Sequence, residues 1–220
     1  KRLHNPHVHI DSGQGITTKS KRSGSFTKPS GKLYLHKVDW NLFGDFYDRI
    51  KPKKDKGELW VTCGRINALW QSVFDDMRKP YIMQRHPMNF IEINPKDAAE
   101  RGIENGDIVS LENDEVYVQV GGFYRARHKD FLFTNLEKDG YIKKTQGSAS
   151  AMAYVTSVVP PGTTFMYFCW PGGGASNSLS SAVADPLTNA PRYKLGKAAI
   201  KKIGTIPDYM KKRMTFKEKV

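Results

Sequence analysis

Short apolar segments with alternating polarity recur from residue 59 onward, and they constrain the fold more than any other feature. They span residues 59–62, 89–93, 108–112, 116–120, 152–159, 163–168, 192–194 and 198–203. Alternation with a period of two is typical of β-strands that bury one face. Many short strands with a single clear helix between them favour a β-barrel, so we predict a mainly β fold with few short helices.

The helix signal begins at Asn94. Asn94 is a favoured N-cap, Pro95 suits the first helical position, and Gly102 suits the residue just beyond the end. Residues 96–101 therefore form the body of the predicted helix. Asn105-Gly106 then predicts a tight turn into the next strand.

Composition divides the chain into three parts. Residues 1–57 are polar, basic and rich in Gly, Ser and Thr, which predicts an extended N-terminal arm or a connection from a missing upstream part. The last segment of this arm, 51–57, has the composition of a charged linker. Residues 58–204 hold the predicted barrel, with a polar and irregular insertion at 121–150, and residues 205–220 form a basic C-terminal tail.

Finer features lie within the arm. We predict a strand at Leu33–Val38 and a short helix at Asp45–Ile50. Three histidines crowd into residues 4–9, but a metal site needs further ligands and a closed geometry that this segment does not supply. Because the first residue is Lys1 rather than Met, we expect a processed product or a piece of something longer.

The net charge of +13, from 35 basic and 22 acidic residues, favours anionic partners. Nucleic acid, acidic proteins, membrane surfaces and phosphorylated cofactors all fit that charge, and composition does not choose among them. No run approaches the roughly 18 apolar residues of a membrane span, and the first residues carry no signal-peptide pattern. Cys63 and Cys169 form neither a CxxC pair nor a zinc set, so we expect two buried or half-buried thiols.

A candidate ligand site follows the first strand of the predicted barrel. Gly64-Arg65 ends that strand, and Asn67 and Gln71 follow within one short segment. Backbone N–H groups, a fixed cation and amide side chains suit a ligand that carries both phosphates and a polar heterocycle. The alternatives for single residues are a surface ion pair for Arg65, core packing for Trp70 and ordinary turn chemistry for Asn177.

The other polar groups in the sequence show no pattern typical of a catalytic site. Asp75-Asp76 has the pattern of a helix-end or surface pair, because adjacent residues point to different faces. No Ser-His-Asp or Cys-His arrangement has a supporting spacing. We therefore expect no catalytic residue in this chain.

The ordered motifs of residues 58–204 resemble the molybdopterin dinucleotide-binding domain, the C-terminal domain of the dimethyl-sulfoxide-reductase family of molybdenum enzymes. The motifs are Gly64-Arg65 followed by Trp70, FIEINPKDAA at 90–99, NGDIV at 105–109, Asn177-Ser178-Leu179 and Asp185-Pro186. The run at 64–95, the ending DPLTNAPRYKLGK and the turn Glu112-Asn113-Asp114 are similar to the large subunits of arsenite oxidase and iodate reductase.

The resemblance implies a fold, a cofactor and partners. The fold would be a six-stranded double-psi β-barrel of the aspartate-decarboxylase-like type, lying over two pterins. The cofactor would be molybdenum bis(molybdopterin guanine dinucleotide), with an iron–sulfur cluster only in the missing upstream domain. The chemistry would be two-electron oxygen-atom transfer on an oxyanion substrate. The partners would be the rest of the large catalytic subunit and a Rieske-type small subunit, in the periplasm, with no nucleic acid and no membrane span.

The resemblance also implies cofactor-binding residues. Cys63, Gly64 and Arg65 would lie on the turn that contacts pterin or phosphate, and Asn67, Trp70, Gln71 and Ser72 beside a pterin. Asn177 would bind a pterin edge, and Arg192, Tyr193 and Lys194 would lie on a late strand near the cofactor. Many family members have His where this chain has Gln71, and an amide still donates and accepts hydrogen bonds but gains no proton.

Two other classes remain open. A free-standing double-psi barrel that acts as a protein-interaction module would keep the framework from Asn94 to Val109 but would not need Asn177. A basic nucleic-acid-binding domain would show steep salt-dependent binding and aromatic side chains exposed between cations.

Overall fold

The computed structural model describes residues 48–70, 73, 75–120, 133–184 and 190–213. Its strands are β1 (Leu59–Gly64), β2 (Phe90–Ile93), β3 (Asp107–Gln119), β4 (Ile142–Val155), β5 (Thr163–Tyr167) and β6 (Gly196–Thr205). Its helices are α1 (Pro80–Arg85), α2 (Pro95–Ala99), α3 (Phe133–Lys138) and α4 (Asp208–Arg213). Three 3-10 turns lie at Asp76–Arg78, Gly172–Gly174 and Ser176–Leu179.

The six strands close into a barrel in the order β1-β5-β2-β4-β3-β6, with β6 pairing back to β1. β1 and β5 are parallel, as are β2 and β4, and the other pairs are antiparallel. Closure leaves no strand edge unpaired around the ring. The prediction of a mainly β fold with a six-stranded barrel is confirmed, and the double-psi type stays a prediction.

The inward-facing residues of the alternating strands fill the barrel. In β1, the side chains at Leu59, Val61 and Cys63 are buried while their neighbours are half-buried. The buried cluster comprises Leu59, Val61, Ile91, Ile93, Ala98, Ile103, Val109, Leu111, Ala149, Ala151, Ala153, Met166, Leu179, Ala198 and Ile200. Each large aliphatic side chain of this kind stabilises the fold by about 1.5–3 kcal/mol on burial.

Helix α2 forms for the reasons that its sequence indicates. The Asn94 side chain accepts a hydrogen bond from the Lys96 backbone N–H at 3.0 Å, and Pro95 occupies the first turn. Gly102 has φ +61° and Gly106 has φ +84°, both in the left-handed region that favours glycine. The N-cap, the helix and the Asn105-Gly106 turn are thus confirmed, although the regular helix ends at Ala99 rather than Arg101.

Three strand predictions were wrong in extent. The predicted strands at 108–112 and 116–120 are one strand, β3, whose pairing with β4 shifts between Asn113 and Val116. Residues 142–150, predicted to be irregular, form the first part of β4, where exposed side chains account for their polar composition. Residues 192–194 form a loop, because β6 begins only at Gly196, which pairs with Val61 of β1.

Several predictions lie outside the described residues. They are the arm at 1–47 with its strand and histidines, Gln71 and Ser72, residues 121–132, Asp185-Pro186 and the tail from 214 onward. Residues 48–50, at the end of the helix predicted for Asp45–Ile50, are helical. The domain limits stay a prediction. None of the helices in the described ranges has the length and apolar character needed to cross a bilayer.

Candidate cofactor-binding site

The site predicted from the sequence lies where β1 and β5 end. The two strands run parallel, with Gly64 opposite Tyr167, and the Phe168 N–H donates a hydrogen bond to the Gly64 carbonyl at 3.2 Å. Parallel strands end at the same side of a sheet. The segments that follow β1 and β5 therefore leave the barrel at one end, which we call the β1–β5 mouth.

Cys63 joins three segments at this mouth. Its thiol donates a hydrogen bond to the Tyr193 carbonyl at 3.3 Å. Burial raises the pKa of the Cys63 thiol, while the Ser176 side chain and the Lys194 charge lie close enough to lower it. The end of β1, the turn at Ser176–Leu179 and the loop at 192–194 thus meet around one buried, protonated thiol.

Asn89 fixes the glycine-rich segment to the mouth. Its amide, which is fully buried, donates hydrogen bonds to the Tyr167 carbonyl at 2.9 Å and to the Gly174 carbonyl at 2.7 Å. A Cβ at Gly174 would lie 2.9 Å from a Trp170 ring carbon, so this approach requires glycine. Ser176 Oγ adds a hydrogen bond to the Phe168 carbonyl at 3.1 Å.

Trp70 lies on a backbone that is held from two sides. Its N–H donates a hydrogen bond to the Asp76 carboxylate, and its carbonyl accepts one from the Tyr167 hydroxyl. The indole itself is 68% exposed, so the core-packing alternative for Trp70 is wrong. An exposed aromatic ring on an anchored backbone beside the mouth is suited to contact a planar ligand.

The side chains of Asp76 and Tyr167 hold the backbone of the segment around Trp70. Asp75-Asp76 was predicted to be a helix-end or surface pair, and Asp76 indeed begins the 3-10 turn Asp76–Arg78. The surface alternative is wrong for Asp76, which is buried and accepts a hydrogen bond from the Trp70 N–H and pairs with Lys79 at 3.5 Å. Burial, with the charges of Cys169 and Asp76, raises the pKa of Tyr167 to about 12, and the Arg65 charge opposes that rise. Arg65 thus lies near the end of β5.

The polar side chains on the rim of the mouth are available to a ligand. Arg65, Asn67 and Asn177 are exposed, and their side chains make no hydrogen bond or ion pair to any part of the chain that the structure describes. The surface ion pair proposed as an alternative for Arg65 is therefore absent from these ranges. Lys194 is exposed too, with Nζ 6.0 Å from the centroid of the Tyr193 ring.

This donor set fits a dinucleotide that carries a polar heterocycle. Guanidinium and ammonium groups bind phosphate oxygens, and amides match the mixed donors and acceptors of a pterin edge. Arg192 is half-buried in the same loop as Lys194. Within the described residues, no three His, Cys, Asp or Glu side chains lie close enough together to hold a metal ion.

Sequence reasoning missed the residues that shape the mouth. Asn89, Tyr167 and Ser176 were not singled out as site residues, although Asn89 and Tyr167 lie in predicted strands and Ser176 precedes the predicted ligand Asn177. A polar Asn before a buried strand was the available signal, because a buried amide needs partners.

Comparison with known proteins identifies a family for this chain. The family described as "Molydopterin dinucleotide binding domain" matches residues 59–122 and 142–196, more than half of the chain. The interruption lies between β3 and β4 in the chain and contains α3.

Two relatives and one solved structure are similar over most of this chain. The iodate reductase subunit IdrA of Pseudomonas sp. (strain SCT) is 45% identical, over 94% of this chain and 23% of that protein. The arsenite oxidase subunit AioA of Herminiimonas arsenicoxydans is 26% identical, over 94% of this chain and 21% of that protein. Acetylene hydratase from Pelobacter acetylenicus aligns with 82% of this chain and 24% of that chain, at a TM-score of 0.43 and 14% identity.

The chain spans less than a quarter of the length of either relative. The family match nevertheless covers strands β1 to β5 and the segments that converge on the β1–β5 mouth, and it ends where β6 begins. The chain therefore belongs to the molybdopterin dinucleotide-binding domain family, and its cofactor is a molybdenum pterin.

Proposed function

We propose that this domain binds molybdenum bis(molybdopterin guanine dinucleotide) at the β1–β5 mouth, within a larger oxidoreductase of the arsenite oxidase and iodate reductase type. The observation that carries the proposal is the meeting of three segments around Cys63, which brings Arg65, Asn177 and Lys194 to one rim. The six-strand closure with mixed pairing supports a barrel of the double-psi, aspartate-decarboxylase-like type.

Each rim residue has a role suited to its chemistry. Arg65 and Lys194 would bind phosphate oxygens, because both are exposed cations. Asn67 and Asn177 would bind pterin edges through amides that make no other bond within the described residues. The other residues of the proposed site are Cys63, Gly64, Trp70, Gln71, Ser72, Arg192 and Tyr193.

The support that these residues receive from the barrel is part of the proposed function. Cys63 is buried, so its thiol would act by fixing the Tyr193 carbonyl rather than by touching the ligand. The backbone of Trp70 is anchored by Asp76 and Tyr167, which would hold the indole beside a pterin. Binding then requires little ordering of the backbone at this position.

When bound, the molybdenum pterin would supply two-electron oxygen-atom transfer, and this chain would supply position, hydrogen bonds and positive charge. The net charge of +13 would partly offset the pyrophosphate charge. We expect the domain to be inactive alone, because the described residues form one side of a cofactor site and no complete substrate pocket.

The whole protein is proposed to act on an oxyanion such as arsenite or iodate, by analogy with the relatives named above. Its partners would be the rest of a large catalytic subunit, which would hold the iron–sulfur cluster, and a Rieske-type small subunit. Exported members travel with that subunit, so the proposed location is the periplasm. The chain's relatives are themselves named as subunits.

The nucleic-acid alternative is disfavoured by the aromatic side chains of the strands. Phe90 is buried, and Trp60 and Phe165 are half-buried, rather than exposed between cations. The interaction-module alternative gives no reason for exposed amides at Asn67 and Asn177.

The test is the cofactor content of the full-length protein. Asn177→Ala and Arg65→Ala should each lower the molybdenum and guanine dinucleotide bound per polypeptide, because each removes a proposed cofactor contact whose side chain makes no hydrogen bond or ion pair within the described residues. Asn135→Ala on α3 and Lys201→Ala on β6 are matched controls, since both residues lie outside the mouth. Full cofactor content in both site variants would reject the site.

A further inference from the structure

The turn that carries Asn177 rests on three adjacent strands of the barrel. The turn spans Ser176–Leu179, and its last two carbonyls belong to Ser178 and Leu179. These carbonyls lie against β4, β3 and β6, which are neighbours in the ring. The turn is therefore supported by the barrel wall on the side away from the exposed Asn177 side chain.

Asn113 is the polar group of this support. It is buried in β3 where the pairing with β4 shifts, and its Nδ2 donates a hydrogen bond to the Leu179 carbonyl at 2.8 Å. Its Oδ1 accepts a hydrogen bond from the Glu115 N–H at 3.0 Å. One amide thus holds both the β3 irregularity and the turn, and such irregularities often re-aim a side chain.

Two glycines let the turn approach the wall. Gly147 is the partner of Asn113 across the β3–β4 pair, and a Cβ there would lie 1.7 Å from the Ser178 carbonyl oxygen. A Cβ at Gly196, on β6, would lie 2.7 Å from the Leu179 oxygen. Both neighbours are backbone, so neither glycine accepts a side chain unless the turn moves.

Leu179 holds the turn from the other direction. Its side chain is fully buried in the barrel core, while its carbonyl accepts from Asn113. The turn is therefore fixed both by the buried side chain of Leu179 and by the hydrogen bond that its carbonyl accepts. Asn177, two residues earlier, remains exposed with no side-chain hydrogen bond to the described parts of the chain.

We propose that Asn113, flanked by Gly147 and Gly196, is a positioning residue for the cofactor, which sets the turn so that the Asn177 amide faces the dinucleotide. This inference rests on the proposed function of the mouth. Its physical basis is that a ligand-binding amide on a rigid turn loses less conformational freedom on binding than one on a mobile loop.

The variant that tests this is Asn113→Asp in the full-length, cofactor-loaded protein. Aspartate keeps the acceptor for Glu115 and the size of the side chain, but it loses the donor to Leu179 and sets a carboxylate oxygen against that carbonyl oxygen. We expect release of the bound dinucleotide to be about tenfold faster, as for loss of one buried hydrogen bond. Amide hydrogen exchange over residues 176–180 should also be faster.

Asn105→Asp is the matched control. Among the described residues, the Asn105 side chain bonds only through Oδ1, which accepts from the Val155 N–H at 2.6 Å, so aspartate retains that bond. Release of the dinucleotide should not change. Gly147→Ala gives a second variant, with Gly204→Ala as its control, since a Cβ at Gly204 meets only Ile108 at 3.9 Å.

A double variant separates positioning from general destabilisation. If Asn113 acts through Asn177, then Asn113→Asp should change release less than about twofold once Asn177→Ala is present, because coupled sites are not additive. Additive effects would overturn the positioning role. A normal release rate in Asn113→Asp with fast release in Asn177→Ala would overturn it while leaving the site intact. A normal rate in Asn177→Ala would overturn both proposals.

Discussion

Lys197 allows the sharpest prediction about stability. It is the second residue of β6 and is buried, with Nζ 3.1 Å from Glu58 Oε2, 3.3 Å from Asp114 Oδ1 and 3.8 Å from Asp55 Oδ2. Burial alone would lower the pKa of Lys197, but the hydrogen bonds and charges of Glu58 and Asp114 outweigh it and raise the pKa. The charged lysine therefore ties the 51–58 segment and β3 to β6.

The expected cost of Lys197→Met follows from which charges stay buried. At 3.1 Å and an effective dielectric constant of about 20, the Glu58 attraction is roughly 5 kcal/mol before desolvation. The side chains of Asp55 and Asp114 are 77% and 71% exposed, so water can solvate them, whereas Glu58 is 11% exposed. Breaking a buried pair costs about 3–5 kcal/mol, and one stranded carboxylate places this change at about 3 kcal/mol.

Urea denaturation followed by far-UV circular dichroism measures this cost. Glu58→Gln removes the stranded charge and keeps an oxygen for the Asp55 N–H, which Glu58 accepts at 2.7 Å. The double variant should therefore recover at least half of the stability lost by Lys197→Met. A loss below about 0.5 kcal/mol in Lys197→Met, or strict additivity in the double variant, would refute this reasoning. Since the folded pKa of Lys197 is raised, its contribution should persist at neutral pH and vanish as pH rises through that pKa.

Three further predictions concern single side chains. Burial would raise the pKa of Asp107, but its hydrogen bonds and its pairing with Lys202 lower that pKa from 3.8. The contribution of Asp107 to the free energy of unfolding is therefore present above that pH and is lost as pH falls. In Asp107→Asn, denaturant titrations should show a free energy of unfolding that changes less with pH in the acid range. Asn89→Ala strands two buried carbonyls and should cost about 2–4 kcal/mol in urea unfolding, with faster amide exchange at 172–176. Tyr167→Phe should cost only about 1 kcal/mol, because the Trp70 carbonyl keeps the Val73 N–H as a donor at 3.0 Å; a loss above about 3 kcal/mol would contradict that.

Local signals predicted the parts of the fold that local chemistry determines. The N-cap at Asn94 and the left-handed glycines at 102 and 106 follow from residues within a few positions of one another. The barrel followed from the alternation of short apolar segments. The first part of β4 was missed because its side chains are exposed on both sides of the strand, so no alternation marks it.

The site depended on contacts that spacing does not reveal. Arg65, Asn177 and Lys194 came together in the prediction only through the family resemblance, and no periodicity joins them. The hydrogen bond from Asn113 to the Leu179 carbonyl joins residues 66 positions apart, and the one from Cys63 to the Tyr193 carbonyl joins residues 130 positions apart. Asp76 lies at a helix end, as one of its two predicted alternatives had it, but its burial was missed because the partner that draws it inward is a backbone N–H, which every residue has.

The central claim is that the dinucleotide lies at the β1–β5 mouth and not elsewhere on the barrel. An experimental structure of the full-length protein with its cofactor bound tests this most directly. The claim predicts hydrogen bonds from the Arg65 and Asn177 side chains to the same dinucleotide, with the glycine-rich segment at 172–174 alongside. A dinucleotide at the opposite end of the barrel, near α2 and Gly102, would contradict it.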